Sequence, residues 1–197
     1  RVTAIVSLDD RIPKTVAALA IRSLDPAAGR VLVNDVDISL TRIEPLRIHS
    51  CWVPDSHHVF PGTVTENIGC GDVRYTKLDI IDAAKQARAY NFVHDLPRGF
   101  STDVGLGGEP LSEGQSFRIA LARAMLREPS LLIIGEPKEE LDRDSQAHID
   151  EALRNVSRGR TVVVLPTRLD TLRHADHILL FDKGGLVSEG SHADLLK

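Results

Sequence analysis

Two stretches of this chain carry residue types that could hold an anion, and a third carries a carboxylate placed for chemistry. The first is SLDDRIPKT, residues 7–15, where a strand-like run (TAIV, 3–6) hands over to a helical one (TVAALAIRS, 15–23). A turn of this kind holds phosphate when glycines let successive backbone N–H groups point inward. This one has no glycine, two adjacent aspartates (Asp9 and Asp10), and Pro13, which lacks an N–H and fixes φ. Setting Lys14 and Thr15 on the end of G-x-x-x-x-G-K-[ST] puts Leu8 and Pro13 at the glycine positions. A like-charge contact at about 4 Å costs on the order of 4 kcal/mol at an effective dielectric of about 20, so the aspartates oppose a polyanion. Arg11 and Lys14 offset part of that charge but do not replace the N–H groups.

The second stretch is LSEGQ, residues 111–115, opening a helical run, EGQSFRIALARAMLR (113–127). Two readings compete for it. Ser112 and Gln115 have the spacing of a capping box, each side chain answering a backbone N–H of the other. Alternatively, Ser112, the N–H of Gly114 and the positive end of the helix dipole face an anion outside the subunit. The third stretch is Gly135-Glu136-Pro137, closing the apolar run LLII (131–134) and leaving one carboxylate at a strand end. Glu136 reads equally well as a surface carboxylate there. The histidines offer less. His57 and His58 are neighbours that point to opposite faces of an extended segment, a poor metal pair. His174 and His177 read as surface or helix-end residues, and KEELDRD (138–144) as a solvated loop leading into a helix.

The elements that must position these residues alternate. Apolar, β-rich runs stand at 3–6, 30–38, 51–53, 131–134, 161–165 and 177–181, with a short late strand at 186–190 and a small helix from Ser191. Several runs are too apolar to have a wet face, which suits a parallel sheet covered on both sides. Helical patterns fall at 15–23, 78–88, 113–127 and 142–157. Strand and helix in alternation predict an α/β layered fold. The stretch 63–98 is the exception, helical with no obvious strand, and reads as an inserted subdomain.

Bulk properties narrow the function classes. At 197 residues the chain is one domain, or one domain with a small insertion. A net charge of -4 gives no global pull toward nucleic acid or anionic lipid. Cys51 and Cys70 have neither zinc-type spacing nor a disulfide framework and read as reduced thiols in a cytosolic setting. No apolar run approaches the roughly 20 residues that span a bilayer. No signal peptide is visible, and the chain opens directly on a strand, which reads as a fragment of a longer protein.

The order LSEGQ, ALARAM, GEP and EELD (139–142) resembles the ATP-binding-cassette (ABC) family, whose signature LSGGQ precedes a helix, a strand ending in DEP and an LD loop. The likeness extends along nearly the whole chain. DPAAGRVLVNDVDI (25–38) is similar to the family's hairpin after the first helix, and WVPDSHHVFPGTVTENI (52–68) to the exporter-type YVPQ…LFPGTVRENI segment. LPRGFSTDVGLGG (96–108) resembles the exporter stretch that faces the membrane domains, and 159–184 the last strand–switch–strand region.

The resemblance implies a P-loop NTPase-like parallel sheet covered by helices, with most of the family's N-terminal antiparallel strands missing. It implies a core subdomain over 1–62 and 128–197 and a helical subdomain with the signature helix over 63–127. It also exposes departures. Aligned without gaps, the phosphate loop's lysine falls on Pro13, its serine on Lys14 and its threonine on Thr15, with glycines replaced by Ser7, Asp10 and Ile12. Gly135 stands where an aspartate helps hold Mg²⁺, Asp55 at the glutamine that senses metal and γ-phosphate, and Thr167 at the switch histidine. Glu136, the position that polarises the attacking water, survives, but without its loop, metal ligand and histidine it reads as vestigial. Trp52 takes the tyrosine of YVPQ and is expected in the core.

In the family two such domains pair head to tail, each ATP lying between one phosphate loop and the other subunit's signature. The residues serving this chain's own nucleotide are eroded. Those offered to a neighbour, Ser112, Gly114 and Gln115 with Asp142 in the next loop, are kept, and Glu113 adds a negative charge there. The resemblance thus implies a degenerate domain of an exporter-type transporter at the cytoplasmic face of a membrane. Its partners would be a transmembrane domain, fused or separate, and a competent second nucleotide-binding domain. ATP and Mg²⁺ would sit at a composite site, weakly or not at all at its own. The alternatives are a pseudo-ATPase scaffold and, third, an active ATPase with unusual residues.

Overall fold

Apolar runs with no wet face need cover on both sides, and the sheet supplies it. The structure is a computed structural model that describes residues 1–56, 58–138 and 143–196, at 143 and 144 the backbone alone. In chain order the first elements are β1 (Val2–Ser7), α1 (Arg11–Ala20), β2 (Leu32–Val33), β3 (Val36–Asp37), α2 (Ile43–His49) and β4 (Ser50–Val53). Then come β5 (Gly62–Thr63), α3 (Val64–Gly69), α4 (Lys77–Gln86), α5 (Tyr90–Asp95), β6 (Asp103–Val104) and α6 (Glu113–Met125). The chain continues with β7 (Leu131–Gly135), α7 (Arg143–Val156), β8 (Thr161–Leu165), α8 (Leu169–His174), β9 (His177–Asp182), β10 (Gly185–Gly190) and α9 (His192–Leu195). Two compact units result: Arg1–Trp52, Pro129–Glu136 and Arg160–Lys197 form one, Val53–Glu128 and Pro137–Gly159 the other.

The first unit is built on a six-stranded sheet of order β10-β9-β1-β8-β7-β4. β1 runs parallel to both its neighbours, Thr3 pairing with Val163 on β8 and His177 on β9, while β7 runs parallel to β8. Within this sheet, among the registers described, only β10, joined to β9 by a tight turn, is antiparallel. Successive residues Leu132, Ile133 and Ile134 are fully buried although they alternate faces, so both sides of β7 are covered. α1 packs Ala17 and Val16 onto Ile5, Ile133 and Leu165, and Trp52 joins that cluster as the sequence reading expects. The α/β class, with a mostly parallel sheet of the P-loop NTPase type, is the observed one. The 30–38 run forms the expected hairpin, turned by Asn34 and Asp35, whose φ values of 50° and 62° match a two-residue primed turn.

α1 departs from expectation. It starts at Arg11, four residues before the predicted Thr15, so half of the supposed loop is helix. Pro13 lies in its first turn, where a missing N–H breaks no helical bond.

The second unit gathers around α6, which is buried on nearly every side: Gly114, Ser116 through Ala122, Ala124 and Met125 are all buried. α3, α4 and α7 pack around it. The stretch beginning at 63, read as helical without a strand, opens with a strand residue: Thr63 pairs with Asp103 and Gly62 with Val104. Gly105 sits at φ +80°, and a β-carbon there would lie 2.8 Å from the backbone of Phe60, so glycine is required for the two segments to meet. No helix of the described residues is long and apolar enough to cross a membrane.

Candidate functional site

The strand-to-helix turn after β1 is closed on itself. Asp9 takes the N–H of Arg11 on Oδ1 at 3.0 Å, and its carboxylate forks with the Arg11 guanidinium, the shortest contact being 2.7 Å. Ile12 N–H donates to the Asp9 carbonyl at 3.0 Å, and Asp9 N–H to Ser7 Oγ at 3.1 Å. Pro13 has no N–H to offer. The three first-turn positions of α1 therefore hold no donor for an outside anion. The side-chain hydrogen bonds from Arg11, then its backbone N–H, hold the Asp9 carboxyl at about 2, below its ordinary 3.8. Thr15 Oγ1 donates back to the Arg11 carbonyl at 2.7 Å, inside the helix. Lys14 follows Pro13 in the same helix, half-buried.

At the end of β7, Gly135 is buried and contributes no side chain. Glu136, read as possibly a surface carboxylate, is instead completely buried. Its Oε2 accepts from the N–H groups of Thr167 at 2.9 Å and Arg168 at 3.3 Å; its Oε1 accepts from Arg168 Nη2 at 2.7 Å and Thr171 Oγ1 at 2.5 Å. The burial has a reason: four donors match the roughly four lone-pair sites of a carboxylate. Thr167 thus meets Glu136 through its backbone, while its side-chain position is exposed. Arg168 and Thr171 went unremarked in the sequence reading, although both lie in the quoted strand–switch segment.

In the second unit, Asp55 lies 3.9 Å from Lys138 Nζ. Ser112 caps α6: its Oγ accepts from Gln115 N–H at 3.2 Å, and Gln115 Oε1 accepts from Ser112 N–H at 2.9 Å, the complete capping box. The box uses the N–H groups of Ser112 and Gln115. Those of Glu113 and Gly114, first and second in the helix, have no intrahelical acceptor by geometry and form its positive end. Asp142 lies outside the described residues, as does His57.

The surroundings of this turn were not legible beforehand. Glu113 Oε1 lies 2.9 Å from Nε2 of His58, which is buried. Arg123, two turns on from the box, donates to the carbonyls of Asn67 at 2.6 Å and His58 at 2.9 Å. Asn67 in turn exchanges both hydrogen bonds with the Phe60 backbone at 2.9 Å. The 52–68 and 113–125 motifs are therefore one fitted structure. His174 ends α8 at the surface, as expected, whereas His177 opens β9 between β10 and β1, half-buried beside Glu189. No cluster of metal-ligating side chains occurs among the described residues. An apolar cavity of about 720 Å³ beside the β2–β3 hairpin is lined by none of the candidate residues.

Comparison with known proteins gives the family. A family model described as ABC transporter matches residues 14–139, more than half of the chain. The chain is 43% identical over 183 residues to an ATP-dependent lipid A-core flippase of Pseudomonas putida (strain KT2440), covering 92% of this chain and 30% of the flippase. It is 38% identical over 193 residues to ABC transporter B family member 19 of Arabidopsis thaliana, covering 98% and 15%. To P-glycoprotein 14 of Caenorhabditis elegans it is 36% identical over 183 residues, covering 93% and 14%. The chain thus spans 14% to 30% of the length of these three relatives.

Proposed function

The chain belongs to the ABC transporter family as an exporter-type nucleotide-binding domain, and from that premise we propose that it works on a partner's nucleotide, not its own. The observation that carries this is the contrast between two helix starts. At α1 every first-turn donor is taken by Asp9 or absent at Pro13. At α6 the N–H groups of Glu113 and Gly114 remain as an anion-binding end.

The residues at the chain's own site do not fit MgATP. Gly135 brings no oxygen for a hard cation. Thr15 turns its hydroxyl into α1. Glu136 has its lone pairs filled by Thr167, Arg168 and Thr171, which leaves none for the proton of an attacking water. No hydrolytic step is assigned to this site.

The composite site fits better. A bound MgATP supplies the phosphoanhydride that is cleaved, and Ser112, Gly114 and Gln115, with Asp142, would face its terminal phosphate from this subunit. The second nucleotide-binding domain would supply phosphate loop, metal ligands and base. The assembly, with its transmembrane domain, would couple hydrolysis to transport at the cytoplasmic face of the membrane.

Ser112→Arg in the assembled transporter tests this: it is expected to abolish ATP hydrolysis, and unchanged hydrolysis would overturn the reading. Calorimetric titration of the chain with MgATP is expected to give no binding up to millimolar. A second reading, a scaffold without nucleotide chemistry, is favoured by one feature: the side chains of Ser112 and Gln115 already satisfy each other. Unchanged hydrolysis in the Ser112→Arg assembly would move the assignment there.

A further inference from the structure

The turn that opens α6 contains a difficulty. Glu113 carries a carboxylate on the residue between Ser112 and Gly114, where the reading above places a partner's phosphate, and like charges at close range repel. The structure gives that carboxylate a definite place. Its Oε1 is 2.9 Å from His58 Nε2, and only a quarter of the Glu113 side chain is exposed.

His58 is itself held from three directions, each by a residue of α6. Its carbonyl accepts from Arg123 Nη2 at 2.9 Å. Its ring meets Phe117 edge-on, centroids 5.4 Å apart. Its Nε2 meets Glu113, four residues before Phe117 and so on the same helix face. The ring has no exposed surface, and Nδ1 has no hydrogen-bond partner among the described residues. A proton on Nδ1 would be a buried, unanswered donor, so the neutral tautomer with its hydrogen on Nε2 fits the site. The surrounding groups agree: burial is the largest influence and, with Arg123, lowers the ring's proton affinity on balance against Glu113 and Asp55, which raise it. The Nε2–H therefore donates to the Glu113 carboxylate. A histidine serving only as core filler has no use for a half-satisfied ring.

We propose that His58 is a positioning residue of the signature turn: it draws the Glu113 carboxylate back onto its own helical unit, so that the end of α6 meets phosphate with N–H groups instead of a negative charge. The proposal rests on the reading that Ser112 and Gly114 face a partner's ATP, and the test keeps the two apart.

The experiment measures kcat and KM for MgATP in the assembled transporter, for His58→Phe, Glu113→Gly and the double variant, beside Ser112→Arg. Phenylalanine preserves the packing on Phe117 but cannot donate. His58→Phe is expected to raise KM about tenfold, the scale of one misplaced charge at an interface. On the Glu113→Gly background the same substitution is expected to change KM by less than about twofold, since no carboxylate remains to be placed. His58→Gln, which keeps an N–H of similar reach, is expected to recover most of the lost affinity. Equal losses on both backgrounds would make His58 a structural residue and overturn the proposal. So would an unchanged KM in His58→Phe while Ser112→Arg abolishes hydrolysis. If Ser112→Arg has no effect, the composite-site reading fails, and the positioning role with it. Should His58→Phe fail to assemble, His58→Asn, polar but too short, carries the same comparison against His58→Gln.

Discussion

The guanidinium of Arg168, itself partly exposed, lies 2.7 Å from the fully buried carboxylate of Glu136. Breaking such a pair from one side leaves a buried charge without its partner. Arg168→Ala is therefore expected to destabilise the fold by about 3 kcal/mol in urea unfolding, with Arg168→Lys recovering part by restoring the charge but not the planar guanidinium. A loss within about 0.5 kcal/mol, the range of ordinary surface substitutions, would mean that Thr167 and Thr171 alone keep Glu136 in place.

The closed turn at Asp9 makes a pH prediction. Its carboxyl is held at about 2 by the Arg11 side chain first and its backbone N–H second, against an ordinary 3.8. A depressed carboxylate contributes its stabilisation above the unfolded value and loses it as pH falls through the folded one, here between 3.8 and about 2. Carboxyl-carbon NMR titration is expected to show a midpoint near 2, moving toward 3.8 in Arg11→Ala, as the side-chain bonds are the larger cause.

His58 loses stability in the same direction, as pH falls, but from a higher starting point. Burial lowers its proton affinity below the ordinary 6.5, so above 6.5 both folded and unfolded rings are neutral and nothing is lost. As pH falls below 6.5 the unfolded chain takes up the proton first, and stability drops. Denaturation midpoints are expected to decline from pH 7.5 to about 5.5 in the native chain and to decline less in His58→Phe. The same decline in both would remove His58 as its source.

Two glycines with the same backbone φ separate strain from contact. Gly105 and Gly107 share φ near +80°, but a β-carbon at 105 would strike the Phe60–Pro61 backbone at 2.8 Å, while at 107 it meets nothing within 4 Å. Gly107→Ala is expected to cost about 1 kcal/mol, the left-handed penalty alone. Gly105→Ala is expected to cost about 3 kcal/mol or more, because backbone must move. Thermal unfolding of the two variants checks the difference; equal losses would show that the 60–61 segment yields freely.

The elements most legible beforehand were those whose own residues are sufficient. The apolar runs at 131–134, 161–165 and 177–181 became β7, β8 and β9 because a strand buried on both faces writes that burial into every position. The capping box at Ser112 was legible for a similar reason, its partners being three residues apart. The start of α1 was missed because Asp10 provides no side-chain cap; Asp9, one residue earlier, answers the first turn through its carboxylate and carbonyl.

What the sequence determined by itself was family, fold class, and which chemistry-bearing residue types had changed. Motif order and local periodicity carry that information along the chain. What only the tertiary structure decided was where charges go. Glu136 is sealed by residues more than 30 positions away, and Glu113 is held by a histidine 55 positions before it. Neither contact leaves a periodic trace, because a single hydrogen bond between distant residues depends on how the elements pack and not on the spacing within any of them.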